Sequence, residues 1–142
     1  MAKVTRSIVL KAPLDKVFSY ISNPVNEMEF IPSITDIRDV QGQGVGDKYG
    51  WTYKMMGVSL KGESEIIESK ANELYVSKST GGIISIWTWT FKPEGDGTRL
   101  GITVDYTVPV PVLGKVGERM VLRQTEREAD YAMANLKDIL ET

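Results

Sequence analysis

The sequence predicts an α+β domain, a seven-stranded antiparallel sheet followed by one long C-terminal helix. Three observations carry this. A strand-like run opens the chain, and six more follow one another from Ile34 to Val108. Two short helical segments lie between the first run and the second. From about Val112 to Leu140 there is no Pro, and apolar residues recur at helical spacing.

Val4 to Leu10 reads as the first strand. Ala12-Pro13 then opens a helix, Leu14 to Ser22, with Val17, Phe18 and Ile21 on one face. Pro13 suits a first helical turn, where its missing N–H leaves no bond unmade. Asn23-Pro24 stops that helix and starts a second, Val25 to Phe30, which Ile31-Pro32 ends. Strands are expected at about 34–40, 47–55, 58–67, 73–80, 83–92 and 98–108. On the C-terminal helix, Leu122, Thr125, Ala129, Ala132, Leu136 and Ile139 form one stripe, with Arg123, Glu126, Arg127, Asp130 and Lys137 off it.

The hairpin registers agree with one another. A two-residue turn at Met56-Gly57 pairs Met55 with Val58, Tyr53 with Leu60, Trp51 with Gly62 and Tyr49 with Ser64. These share one face, and Lys48 opposite Glu65 falls on the other. A turn at Gly81-Gly82 pairs Val76 with Trp87 and Leu74 with Trp89. A turn over Glu94 to Gly97 pairs Phe91 with Leu100, Trp89 with Ile102 and Trp87 with Val104. A one-residue slip in any hairpin would turn its apolar set outward.

Strands of a meander alternate in direction, so every second connection falls at one end of the sheet. One set is polar: Gln41 to Gly44, Glu68 to Asn72, and Pro93 to Gly97. The other is apolar: Met55 to Val58, Gly81 to Ile84, and Val108 to Leu113. Loops normally face water. Apolar loops gathered at one end suggest a mouth that admits apolar molecules, or a docking surface.

The chain has 142 residues, a net charge of −2, 42% hydrophobic and 25% charged residues. That suits a single domain, 1–142, able to bury roughly 68–70% of its unfolded surface. There is no basic footprint for nucleic acid. Cys and His are absent, which removes thiolate and imidazole from catalysis and metal binding. No metal or other cofactor is expected. The N-terminus lacks the apolar core of a signal peptide, and no run approaches the ~18 apolar residues of a membrane span. A cytoplasmic protein, monomeric or weakly dimeric, is the expectation.

The order of elements, with Ala12-Pro13-x-x-x-Val17-Phe18 early and Trp89-Thr90-Phe91-x-Pro93 before a Gly-rich turn, resembles the START/polyketide-cyclase-like (SRPBCC) superfamily over essentially the whole chain. The resemblance implies a helix-grip fold, with the sheet curved around the long helix and a cavity between them. It implies a lipid, quinone or polyketide-like ligand in most members and cyclase or hydrolase activity in a minority. It transfers no catalytic residue.

The expected cavity wall is Trp51, Tyr53, Trp87, Trp89 and Tyr106, which project inward on these registers and could equally be core. Leu60 and Gly62 lie beside them, and Gly62 opposite Trp51 is expected to leave space. Gly117, Val121 and Gln124 are the helix's contribution. Lys78 is placed inward near Ser85, either reaching water along the wall or anchoring an acidic head group. Arg6, on the same side as Val4, Ile8 and Leu10, either pairs with a carboxylate or lies near the strand's frayed end, a structural role in both cases. Met55, Met56, Ile83, Val110 and Leu113 are gate candidates, suited to an apolar ligand or transient membrane contact. The expected function is a carrier or binding protein for a hydrophobic or amphipathic small molecule. An enzyme would have to use Tyr53, Tyr106 or Lys78 as acid–base groups. A third reading is a module that docks on a protein partner.

Overall fold

A computed structural model describes residues 2–107 and 117–142, apart from the side chain of Glu118. Strand β1 (Ala2–Leu10) leads into α1 (Leu14–Ile21). A 3-10 turn (Pro24–Asn26) and the single-turn α2 (Glu27–Phe30) follow. Then come β2 (Ile34–Arg38), β3 (Lys48–Met55), β4 (Val58–Lys70), β5 (Leu74–Gly81), β6 (Ile84–Glu94), β7 (Gly97–Thr107) and α3 (Gly117–Leu140). The strands form one antiparallel sheet in the order β1-β7-β6-β5-β4-β3-β2. This is the seven-stranded sheet and C-terminal helix of the helix-grip fold.

Two hairpins have the registers read from sequence. The β3–β4 turn has Met56 at φ 52° and Gly57 at φ 84°, the doubly left-handed turn whose twist matches a two-residue hairpin. It pairs Met55 with Val58 and Lys48 with Glu65. The β6–β7 hairpin pairs Phe91 with Leu100 and Trp87 with Val104.

The β5–β6 hairpin does not follow the expected register. It pairs Ser77 with Trp87 and Tyr75 with Trp89, one residue away from the expected Val76 and Leu74. The last pair is Ser79 with Ser85, so the connection spans an odd number of residues. Gly81 takes φ 109° and pairs with Gly62 on β4, and the Gly82 amide donates to the Lys61 carbonyl at 2.9 Å. The two glycines thus lie against β4 instead of forming a two-residue turn. Because side chains alternate, this slip exchanges the faces of β5. Tyr75, Ser77 and Ser79 turn inward and are buried, and Lys78 turns outward and is exposed. A bulge between Ile66 and Glu68 keeps β4 in step with β5 and lets it run to Lys70.

α3 packs along β1 and buries Val121, Glu128, Ala132, Met133, Leu136 and Leu140. Leu122, Ala129 and Ile139 are half-buried, so the inner stripe is rotated from the one expected. Arg6 on β1 donates to Asp130 at 2.7 Å and lies 3.4 Å from Glu126. It therefore pairs with carboxylates and ties helix to sheet.

The concave face is packed unevenly. Under α1 and α2 it is dense: Phe18 meets Phe91 edge-on at 5.1 Å, and Phe30 meets Trp89 at 5.8 Å. Leu10, Val17, Ile21 and Leu100 complete that half with almost no exposure. Farther along β6 and β7, toward Ser85 and Tyr106, the packing opens into a hollow.

Candidate functional site

The hollow begins with the registers. Tyr49 pairs with Ser64, Ser64 with Ser79, Ser79 with Ser85, and Ser85 with Tyr106. Five hydroxyl residues therefore cross strands β3 to β7 in one row, each ~4.8 Å from the next strand's backbone. All five are buried. Small side chains in this row leave room where a Leu or Val would fill it. The Ser64 and Ser79 hydroxyls bond each other at 2.7 Å, and the Trp87 indole N–H donates to Ser85 Oγ at 3.1 Å.

Aromatic and apolar groups form the remaining wall. Trp51, Tyr53, Trp87, Met55, Ile83 and Val104 face the hollow, and Thr125 closes it from α3. The Thr125 hydroxyl donates back to the Val121 carbonyl at 2.9 Å. The hollow is partly open and contains about 560 Å³ of non-atom space, counting its mouth. A smaller hollow shares Tyr53, Trp87, Val104 and Thr125 and continues beneath α3 to the buried Glu128.

Two wall groups lack partners. Trp51 Nε1–H and Tyr106 O–H are buried without a hydrogen bond among the described residues. Such groups normally find partners, and leaving one unmade costs about 1–3 kcal/mol. Tyr75 O–H, also buried, is likewise unbonded.

At the β3 end of the row stands Glu27, the first residue of α2. Local chemistry fixes its place. Asn23 accepts from the Val25 amide, and Asn26 Nδ2 donates to the Tyr20 carbonyl at 2.9 Å. From α3, Asn135 Nδ2 donates to the Phe30 carbonyl, and Glu128 accepts from the Ser33 amide at 2.6 Å. These bonds hold α2 over the sheet. The Tyr49 hydroxyl donates to Glu27 Oε1 at 3.2 Å.

Burial disfavours the charged form of each acid here. It pushes the Glu27 carboxyl up to about 8, against a smaller opposing effect of the Tyr49 hydrogen bond. Tyr49 and Tyr75 are raised by burial first and by the Glu27 charge second. Tyr53 is raised by burial and then by Glu128, and Tyr106 by burial. No Lys or Arg lines the hollow among the described residues.

The sequence-derived residues are distributed unevenly around this site. Trp51, Tyr53, Trp87 and Tyr106 line it, as do the gate candidates Met55 and Ile83. Met56 is exposed, as are Val58 and Ile84. Leu60, Trp89 and Val121 are buried outside the lining, and Gln124 is half-buried one residue from Thr125. Gly117 is exposed at the start of α3. Lys78 does not belong to the site, since the β5 slip puts it on the outer face opposite Glu65 and Ile86. Gly62 leaves no space. A Cβ there would meet the Trp51 ring and the Thr80 carbonyl, so the indole already covers it. Val110 and Leu113 lie outside the described residues.

Sequence reasoning missed Glu27 and the inward Ser77 and Ser79 of β5. An odd connection at Gly81-Gly82 would have brought both serines onto the face of Ser85. Nothing local marks Glu27, whose partner Tyr49 lies on another element.

The chain matches the family model described as polyketide cyclase/dehydrase and lipid transport over residues 1–141. It belongs to that family, within the START/polyketide-cyclase-like superfamily. No curated protein sequence matches it. Among solved structures, TTHA0849 from Thermus thermophilus is similar at TM-score 0.83 and 20% identity, covering 96% of this chain and 95% of that one. The Zhui aromatase/cyclase from Streptomyces sp. R1128 is similar at TM-score 0.81 and 13% identity, covering 99% and 93%. A START superfamily protein from Mycobacterium smegmatis is similar at TM-score 0.79 and 16% identity, covering 98% and 97%. At these identities the likeness establishes the fold. Among the described residues, no helix is long and apolar enough to cross a membrane, and no cluster of three or more Asp or Glu could hold a metal.

Proposed function

We propose that the protein binds or carries a hydrophobic or amphipathic small molecule between the sheet and α3. The observation that carries this is a partly open hollow whose wall includes unbonded Trp51 N–H and Tyr106 O–H donors. An occupant with oxygen acceptors would satisfy them, and its apolar body would gain ~25 cal/mol per Å² buried, before ordering costs. Exposed Met56 and Val58, next to the lining Met55, would serve as the gate, with transient contact to a membrane surface. A cytoplasmic carrier fits this reading. Native mass spectrometry of protein purified from cells, followed by denaturation and analysis of released molecules, tests it. A stoichiometric apolar passenger is expected. An empty protein that also takes up no apolar probe would overturn the reading.

The Glu27–Tyr49 pair favours a second reading, a cyclase-type enzyme. A carboxyl that titrates near neutrality on the wall of the hollow can exchange protons with a bound carbonyl compound. Turnover would then follow the Glu27 titration, whereas a carrier would show saturable binding alone.

A further inference from the structure

Glu27 is a half-buried carboxyl on the wall of the hollow, with no cation beside it among the described residues. It lines a mainly apolar hollow, and its one hydrogen-bond partner among the described residues is the Tyr49 hydroxyl. The groups around it come from several elements. From β3, Tyr49 donates to it. From β5, Tyr75 presents a buried, unbonded hydroxyl. On α1, Tyr20 is engaged by Glu29 at 2.6 Å. On α3, Glu128 is engaged by the Ser33 amide. Lys48 lies on the outer face, near Glu63 and Glu65. Glu27 forms no salt bridge with a described residue. A charge so placed is disfavoured against the neutral acid.

We propose that Glu27 is a ligand-binding residue acting as an uncharged carboxylic acid, and that it selects uncharged apolar molecules bearing a carbonyl or ether oxygen. The inference rests on the binding reading above. Tyr49 donates to Oε1, which leaves the acid's own proton, on its other oxygen, to donate to the ligand. The unbonded Trp51 and Tyr106 donors favour the same kind of guest, one with oxygen acceptors. A carboxylate guest would enter without a cation to meet it, so the hollow discriminates against ionised fatty acids. This reverses the selectivity that an inward Lys78 would have given. The position of the Glu27 titration, pushed up by burial to about 8, makes the discrimination measurable near neutral pH.

The test uses three fluorescent probes: the ketone prodan, its carbonyl-free parent dimethylaminonaphthalene, and the corresponding naphthoic acid. Binding is measured at about pH 7 and about pH 9 for wild type and Glu27→Gln. The wild-type Kd for the ketone should rise about tenfold over that interval, as the acid ionises. The parent should bind equally at both. The naphthoic acid should bind more weakly than the ketone at about pH 7. Glu27→Gln, still uncharged and able to donate, should bind the ketone without pH dependence. Parent binding with a pH-independent ketone Kd in wild type would overturn the role of Glu27 and leave the cavity reading standing. Failure of all three probes at both pH values would overturn the cavity reading and this inference together. An infrared titration of wild type decides protonation without any ligand. A carboxylic C=O band that persists near neutral pH is expected, and its absence would overturn the proposal even if Glu27→Gln did not fold.

Discussion

The two halves of the concave face use the same strands and do different work. On β6, Trp89 and Phe91 are packed against α1 and α2. Two and four residues before Trp89, Trp87 and Ser85 face a hollow. In the packed half, large apolar groups meet directly and area removed from water dominates. In the hollow half, hydroxyls and indole N–H groups replace apolar side chains, and the cost of unmade hydrogen bonds dominates. Stability should therefore concentrate in the first half and recognition in the second.

Truncating each of the two tryptophans in turn is the strongest way to break this contrast. Trp89→Ala should cost about 3–5 kcal/mol, because it opens a cavity beneath Phe30. Trp87→Ala, half-buried beside an existing hollow, should cost less and should weaken binding of an apolar probe more. Denaturant unfolding and probe fluorescence measure the two effects. Equal stability losses would erase the distinction between the halves.

The hydroxyl row gives the next largest effect. Ser64→Ala removes one partner of the buried 2.7 Å pair and leaves Ser79 unsatisfied, at about 1–3 kcal/mol. Ser64→Ala with Ser79→Ala should cost less than the sum of the single changes, since neither orphan remains. A double-mutant cycle by urea unfolding measures the coupling. Strict additivity would mean that the pair contributes nothing specific.

The third effect is a pH slope. Burial raises the folded Glu27 value from 4.5 to about 8. Between those values the folded state holds more protons than the unfolded chain, so stability falls as pH rises, by at most about 1.4 kcal/mol per pH unit from this group. The contribution is fully present below the lower value and lost above about 8. Glu27→Gln should remove that part of the slope, as read from unfolding midpoints across the window.

The sheet was legible because alternation on β3, β6 and β7 is strong. Trp51, Tyr53, Trp87 and Tyr106 follow from it directly. β5 was misread because its two faces are nearly equivalent in sequence: Leu74 and Val76 on one, Tyr75, Ser77 and Ser79 on the other. Apolarity favoured the first set, and the odd Gly81-Gly82 connection selected the second. The same error carried Lys78 inward and hid the serine row. Asp39 ends β2 early by taking φ 53°, a local choice that propensity does not dictate. Glu27 was illegible for a different reason. Its environment is made by α2, β3 and β5 together, and one acidic residue after Asn-Pro-Val-Asn carries no sign of it.

The most direct test of a binding hollow follows from the chain's three tryptophans. Their indole N–H resonances report three places: Trp51 and Trp87 in the wall, and Trp89 in the packed half. Titration with prodan, followed by proton–nitrogen NMR, should shift the Trp51 and Trp87 signals and leave Trp89 nearly unchanged. Saturable binding that left the Trp51 and Trp87 signals in place would put the ligand elsewhere and contradict the account.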